Sequence, residues 1–448
     1  MTAPPRIERA GDADLAFLAM DRGPVPEHLG VVLVLDRPLT PAACARLLGD
    51  RAGRVPRLRQ RLVRTPPGCG APIWADDETF DPWRHLEITG CPAPGDDRAL
   101  VDAVLPWVMR PLPRDRPLWR AVLIGGLPGG RCALALIAHH AISDGLGGLA
   151  VLGLLADGAA PAAVAPALPR AGTRALAADA WRSRFAGLRS APDRARRLRT
   201  AMAAGGGVHP VRVQACSLVR VTGARRRAVV VRAPLSALRE SAHRHDGGVN
   251  AALLVAVSTA VGRLLERRGE TIGAVAIAVP VGTPRAPGTA AGNAVSPLVV
   301  RVPTAGPWAQ RLTRVAADVR RRRAAAAGPA PITVAGGAFR LFSALGGYRW
   351  YMTHQRRLHT LVSHVRGPAG PVRLGGAVVR DMIPLVTGGA SNVTVLFLAL
   401  AYLDTLTVTV IADPDRCPDL DLLARLLADE LTALSRVTIG PSEQDLPP

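Results

Sequence analysis

The 448-residue chain contains no lysine, so all 56 of its basic residues are arginine. Against 35 acidic residues this leaves a formal net charge of +21. A complete preference for arginine, together with 45 glycines and 40 prolines, is the mark of a GC-rich coding bias, so the charge does not by itself define a nucleic-acid partner. No zinc-finger spacing and no pattern of stacking aromatics accompanies the arginines, and no nucleic acid is expected. A positive surface still favours anionic ligands and anionic lipid headgroups.

Aromatic residues are scarce, at 4%, so packing has to rest on Ala, Val and Leu. The six cysteines, Cys44, Cys69, Cys91, Cys132, Cys216 and Cys417, lie far apart, and none forms a C-x-x-C pair. That spacing argues against a structural zinc site or a disulfide framework and points to a reducing, cytoplasmic setting. Arg6, Glu8, Arg9 and Asp12 fall where a secretory signal needs an apolar stretch. The longest nearly apolar runs, 251–262 and 393–403, are shorter than the roughly 18 to 20 residues that span a bilayer. Membrane or lipid-inclusion contact is therefore expected to be peripheral.

What is present is a globular composition, 48% apolar and 20% charged, in a chain long enough for two or three units. Residues 1–156 read as a mixed α/β lobe. "GVVLVLD" (30–36) and "RCALALIAHH" (131–140) are strand candidates, and "TPAACARLLGDRAG" (40–53) has helical spacing. Residues 157–215 read as a linker rich in Ala and Pro, carrying a basic helix around Trp181, Phe185, Leu188 and Leu198. Residues 216–448 read as a second α/β lobe in the order β-α-α-β-β-α-β-β-β-α, closing on the amphipathic "DLDLLARLLADELTALS".

The densest concentration of chemistry is "HHAISDG" (139–145), at a strand-to-helix junction. Adjacent strand side chains point to opposite faces, so only one of the two histidines enters a given pocket, which disfavours a metal site. Two readings remain open from the residues alone. Both histidines could be satisfied polar groups at a strand end. Alternatively, one imidazole could act as a general base in a cleft, with Asp144 locking the turn ahead of Gly145.

The H-H-x-x-x-D-G form is shared by acyltransferases resembling chloramphenicol acetyltransferase, including peptide-synthetase condensation domains. The chain resembles more closely the bacterial wax ester synthase/diacylglycerol acyltransferase family, nearly end to end. The resemblance runs through "DLAFLAMDRG", "EHLGVVLVLD", "PRDRPLWRAVLIGGLPGGR", "GGVNAALLVAV", "VPVGTPR", "GNAVSPL", "SHVRGPAGPVRLGGAVV" and "GGASNVTVLFLALAYLDTLTVTVIADPD".

The resemblance implies two chloramphenicol-acetyltransferase-like lobes with an active-site tunnel between them. It implies transfer of a fatty acyl group from acyl-CoA to a long-chain alcohol or to diacylglycerol, with no bound cofactor or metal. His140 would be the base, with His139, Asp144 and Gly145 as support. Trp119 of Pro117-Leu118-Trp119 would pack, Arg285 would pair with Asp144, and Asn392 would face the tunnel or satisfy a neighbouring backbone group. Asn250 reads first as a helix N-cap.

Three positions depart from the family pattern. Ala251 stands where an acid usually follows Asn250, His364 stands where Ser363-His364-Val365-Arg366-Gly367-Pro368 usually has asparagine, and Arg120 replaces an acid after Trp119. Two rivals follow from such changes: a condensing enzyme of specialised metabolism using a carrier-protein thioester or an unusual acceptor, and a non-catalytic lipid-binding homologue.

Overall fold

A computed structural model describes residues 7–436 apart from 53, 143–144, 159–170, 283–294, 326–335 and most of 190–211. Fifteen strands run along the described residues: β1 (Glu8–Arg9), β2 (His28–Leu35), β3 (Gln60–Val63), β4 (Ile73–Asp76), β5 (Leu86–Gly90), β6 (Trp119–Leu127), β7 (Arg131–His139), β8 (Arg227–Pro234), β9 (Ala274–Gly282), β10 (Val295–Pro303), β11 (Thr360–Arg366), β12 (Arg373–Leu374), β13 (Ala377–Val386), β14 (Val395–Tyr402) and β15 (Thr405–Ala412). They form two six-stranded sheets, β12-β13-β2-β7-β6-β5 and β10-β9-β11-β14-β15-β8, and a small third sheet, β1-β4-β3. Both large sheets are mixed: β6 is parallel to β5, and β11 is parallel to β9 and β14, while the other neighbours are antiparallel.

The apolar run of β7 is explained by its central place, with both faces covered. Cys132 and Leu134 share a cluster with Leu48 of the helix Pro41–Ala52 and with Leu152 and Leu155 of the helix Gly145–Leu155. Ala133, Ala135 and Ile137 face the other way. They pack with Val101 and Val104 of the helix Asp97–Met109, and with Ala228 and Ile411 of the second sheet. That helix thus helps to seal one lobe against the other.

The second half of the chain does not stay in the second lobe. After β11 it crosses over, and β13 pairs with β2 from Val379↔Leu35 to Val386↔Leu29, so residues 373–386 complete the first sheet. A boundary at residue 216 therefore divides the sequence but not the sheets. Tyr402 fastens the crossover: its hydroxyl donates to the Val379 carbonyl at 2.9 Å and accepts from the Val372 amide at 2.9 Å.

The stretch read as linker is also partly built into the first lobe. The helix Thr173–Arg189 docks through Leu176, in a cluster with Cys69 and Ile73, and through Asp179, which accepts from Arg9 Nε at 2.6 Å. Trp181 and Phe185 on the same helix remain exposed. In the second lobe the helix Val249–Arg267 extends well beyond its apolar run. It is the one helix among the described residues long and apolar enough to cross a membrane, yet 83% of its most apolar window is buried inside the protein. The closing helix, Leu420–Arg436, buries Leu420, Leu423, Leu427, Leu431 and Leu434 at helical spacing against it.

Candidate active site

The strand β7 ends at His139, and the chain turns at once: the Ile142 amide donates to the His139 carbonyl at 3.0 Å. The His139 ring is buried, 1% exposed, and both of its nitrogens are engaged. Nδ1 accepts the Ala141 amide proton at 2.9 Å, so Nε2 carries the ring hydrogen and donates to Asp21 Oδ2 at 3.1 Å. Burial lowers the His139 pKa against the opposing pull of Asp21, consistent with a neutral ring.

Burial pushes the Asp21 carboxyl up. The His139 hydrogen bond, Arg114 and the Glu27 amide outweigh it and leave the group below its ordinary value. Asp21 also pairs with Arg114 and accepts the Glu27 amide at 3.2 Å. The imidazole of His139 is therefore a structural fixture of the turn.

His28 backs it from the neighbouring strand. It lies opposite His139 in the β2–β7 ladder, the two rings meet edge to face at 5.8 Å, and His28 Nδ1 donates to the Val108 carbonyl at 2.8 Å. Burial lowers the His28 pKa to about 4.

His140 is set differently. Its amide donates to the Glu27 carbonyl at 2.9 Å, one step past the last pair of the ladder, and its half-buried ring stacks on Phe17 at 4.7 Å and 10°. Phe17 belongs to the helix Asp12–Met20, at whose C-terminal end Asp21 lies, so one helix end orients both histidines. The second half of the chain closes the other side. Thr387, just after β13, accepts the His28 amide at 3.1 Å and donates to the Pro26 carbonyl, while Arg226 donates to the Thr387 and Gly389 carbonyls at 3.0 and 2.9 Å.

Asp144 and Arg285, and with them their expected pairing, lie outside the described residues. Gly145 opens the helix Gly145–Leu155. Trp119 is buried away from solvent, with Nε1 donating to the Leu58 carbonyl at 2.7 Å and its ring stacked on His85 at 4.3 Å. Asn250 is not the N-cap that its position suggested: Gly248 occupies that place, and Asn250 is the second residue of the helix. Glycine leaves no side chain to do the capping, and Asn250 remains half-buried inside the first turn.

Asn392 precedes β14 and forms a reciprocal pair with Gln355. Its Nδ2 donates to the Gln355 carbonyl at 2.8 Å, and its Oδ1 accepts from Gln355 Nε2 at 2.7 Å. Asn392 thereby holds the end of the helix Gly347–His354 to the second sheet.

Arg120 has a structural explanation. It donates to the carbonyls of Trp107, Arg110 and Pro111 at 3.0, 3.3 and 3.4 Å, placing a cation on the C-terminal end of the helix Asp97–Met109. His364 lies half-buried on β11, its Nε2 has no hydrogen-bond partner among the described residues, and burial together with Arg366 and Arg323 lowers its pKa to about 4. Asp21, Glu27, His28 and Phe17 escaped a residue-by-residue reading. Their signal was the polar pair Glu27-His28 directly ahead of the apolar run of β2.

Two lobes of mixed sheet in this arrangement are a fold shared with solved condensation domains and with a wax ester synthase/diacylglycerol acyltransferase. The first condensation domain of the calcium-dependent antibiotic synthetase has this fold, with a TM-score of 0.62 over 97% of each chain at 20% identity. The wax ester synthase/diacylglycerol acyltransferase of Marinobacter aquaeolei VT8 also shares it, with a TM-score of 0.66 over 95% of this chain and 98% of that one at 18% identity. The wax ester synthase/diacylglycerol acyltransferase catalytic domain matches residues 11–253, and the C-terminal domain of the same family matches residues 291–435, so the chain belongs to that family.

Among similar proteins, the probable diacylglycerol O-acyltransferase tgs1 of Mycobacterium tuberculosis H37Rv is 26% identical over 96% of this chain and 93% of its own. The probable diacylglycerol O-acyltransferase tgs3 of the same strain is 32% identical over 34% of this chain, which spans 57% of that relative.

Proposed function

We propose that the protein is an O-acyltransferase that moves a fatty acyl group from acyl-CoA to a long-chain alcohol or to diacylglycerol, with His140 as the general base. The observation that carries the assignment within the pair is the engagement of His139: with Nδ1 accepting an amide proton and Nε2 donating to Asp21, His139 has no free nitrogen for a substrate. In this reading His140 takes the proton of the acceptor hydroxyl as its oxygen attacks the thioester carbonyl. The tetrahedral intermediate collapses by breaking the C–S bond, and the imidazolium returns the proton to the departing CoA thiolate.

Phe17, stacked on the ring, and the backbone bond to Glu27 would hold His140 in position through the cycle. The scheme calls for no resident cofactor and no covalent intermediate on the enzyme. A tunnel between the lobes would admit CoA from one side and the apolar acceptor from the other, with arginines at the mouth holding phosphates.

We place this activity in the cytoplasm, in peripheral contact with a membrane or lipid inclusion. The six free cysteines support the compartment. Exposed Trp181 and Phe185 on an arginine-bearing helix, and exposed Leu341, Phe342, Leu345 and Trp350, support the contact.

The test is thiol release from palmitoyl-CoA with hexadecanol, diacylglycerol or no acceptor, in wild type and His140→Ala. Acceptor-dependent release that falls by roughly 10²- to 10⁴-fold in the variant is expected. Release indifferent to acceptor, or a variant as fast as wild type, overturns the proposal. A palmitoyl carrier-protein thioester as alternative donor distinguishes CoA from carrier use.

A further inference from the structure

We propose that Glu27 is a specificity-determining residue on the acceptor side, selecting acceptors that carry a second hydrogen-bond donor, a hydroxyl or an ammonium group, on the carbon beside the hydroxyl to be acylated. This rests on the acyltransferase assignment above and narrows its acceptors to long-chain alcohols of this kind, since the carbon beside the free hydroxyl of a 1,2-diacylglycerol carries an ester, which cannot donate.

The placement follows from strand register. His28 lies opposite His139, and the His140 amide bonds the Glu27 carbonyl one step further on. Side chains directly opposite on antiparallel strands share a face, with Cβ atoms about 4.5 to 5.5 Å apart. Because His28 and His139 already meet each other, alternation sets Glu27 with His140.

The carboxyl is confined. Gly389, at φ +59, lies so close that a Cβ there would collide with Glu27 Oε1. Among the described residues the charge acting on Glu27 is the like-signed Asp21. No arginine among the described residues answers it: Arg114 is engaged with Asp21, and Arg226 with the Thr387 and Gly389 carbonyls. Burial, reinforced by Asp21, raises the Glu27 pKa to about 7.

A half-buried carboxylate with no arginine partner among the described residues can take a charge-assisted hydrogen bond from a ligand. A vicinal diol or amino alcohol supplies one next to the reacting oxygen. A simple alkanol does not. A charge-assisted hydrogen bond of that kind is worth about 10- to 100-fold in selectivity.

The experiment compares kcat/KM for thiol release from palmitoyl-CoA with hexadecanol, 1,2-hexadecanediol and 2-amino-1-hexadecanol, products being identified by mass spectrometry. Wild type, Glu27→Met and Glu27→Gln are compared. Wild type is expected to favour the diol and the amino alcohol by about 10- to 100-fold. In Glu27→Met the ratio of kcat/KM for the diol or amino alcohol to that for hexadecanol should fall to about one, and Glu27→Gln should lose the preference for the ammonium group. If Glu27→Met does not fold, the amino-alcohol preference in Glu27→Gln decides alone. Equal rates on all three acceptors in wild type, or a preference unchanged in the variants, overturns this inference and leaves the acyltransferase assignment standing. Absence of thiol release with every acceptor, diacylglycerol included, overturns both.

Discussion

Replacing His364 with asparagine should make the protein more resistant to acid, and the size of the effect can be worked out from its surroundings. The ring lies half-buried on β11, with Nε2 unpartnered among the described residues and Arg366 and Arg323 acting on it, and its pKa falls from 6.5 to about 4. The folded-state value lies below the unfolded one, so the unfolded chain takes up the proton first. Stability from this group is complete above about pH 6.5 and is lost as the pH falls toward 4.

By about pH 5 the imbalance amounts to a factor of roughly 30 in the folding equilibrium, or about 2 kcal/mol. That is a large share of the 5 to 15 kcal/mol typical of folded proteins. Urea unfolding followed by tryptophan fluorescence at pH 8 and pH 5 measures it. The wild type should lose about 2 kcal/mol more than His364→Asn between the two conditions. His28 and His139, whose pKa values are also lowered by burial, contribute acid sensitivity to both proteins alike. An identical pH-dependent loss in variant and wild type would show that His364 does not titrate as its burial requires.

Two further outcomes test the scaffold of the site. Asp21 uses one oxygen for His139 and Arg114 and the other for the Glu27 amide. Asp21→Asn therefore sets an NH₂ against a donor in either orientation, and kcat for thiol release should fall by about 10²-fold with KM for palmitoyl-CoA little changed; a kcat equal to wild type would remove Asp21 from the positioning of the turn. Arg120→Met strips the cation from three carbonyls at the end of the helix Asp97–Met109 and should cost about 2 to 3 kcal/mol in urea unfolding while leaving thiol release at low temperature intact. Loss of turnover in the folded variant would instead place Arg120 in substrate binding.

Local pattern was sufficient for the elements around the site. The apolar run "RCALALIAHH" becomes β7, leucines at helical spacing become the helix Leu420–Arg436, and the histidine pair falls at the strand end as its motif implied. Each of these depends on residues within a few positions of one another, where periodicity and turn chemistry operate. Other features belong to residues far apart in sequence.

The crossover that pairs β13 with β2 joins residues about 350 positions apart, and no local pattern announces which strand an apolar segment will choose. The same distance hid the partner of His139: Asp21 lies 118 residues away, and only the packing of the helix Asp12–Met20 against the end of β7 brings it within 3.1 Å. Asn250 could be placed at a helix start from sequence, but whether it caps depends on where the first turn begins, and Gly248 takes that place. Composition and spacing thus settle which residue types are available and what each short segment becomes. The tertiary structure decides which nitrogen, carboxylate and carbonyl meet, because hydrogen bonds are satisfied by neighbours in space and burial determines which of them remain neutral.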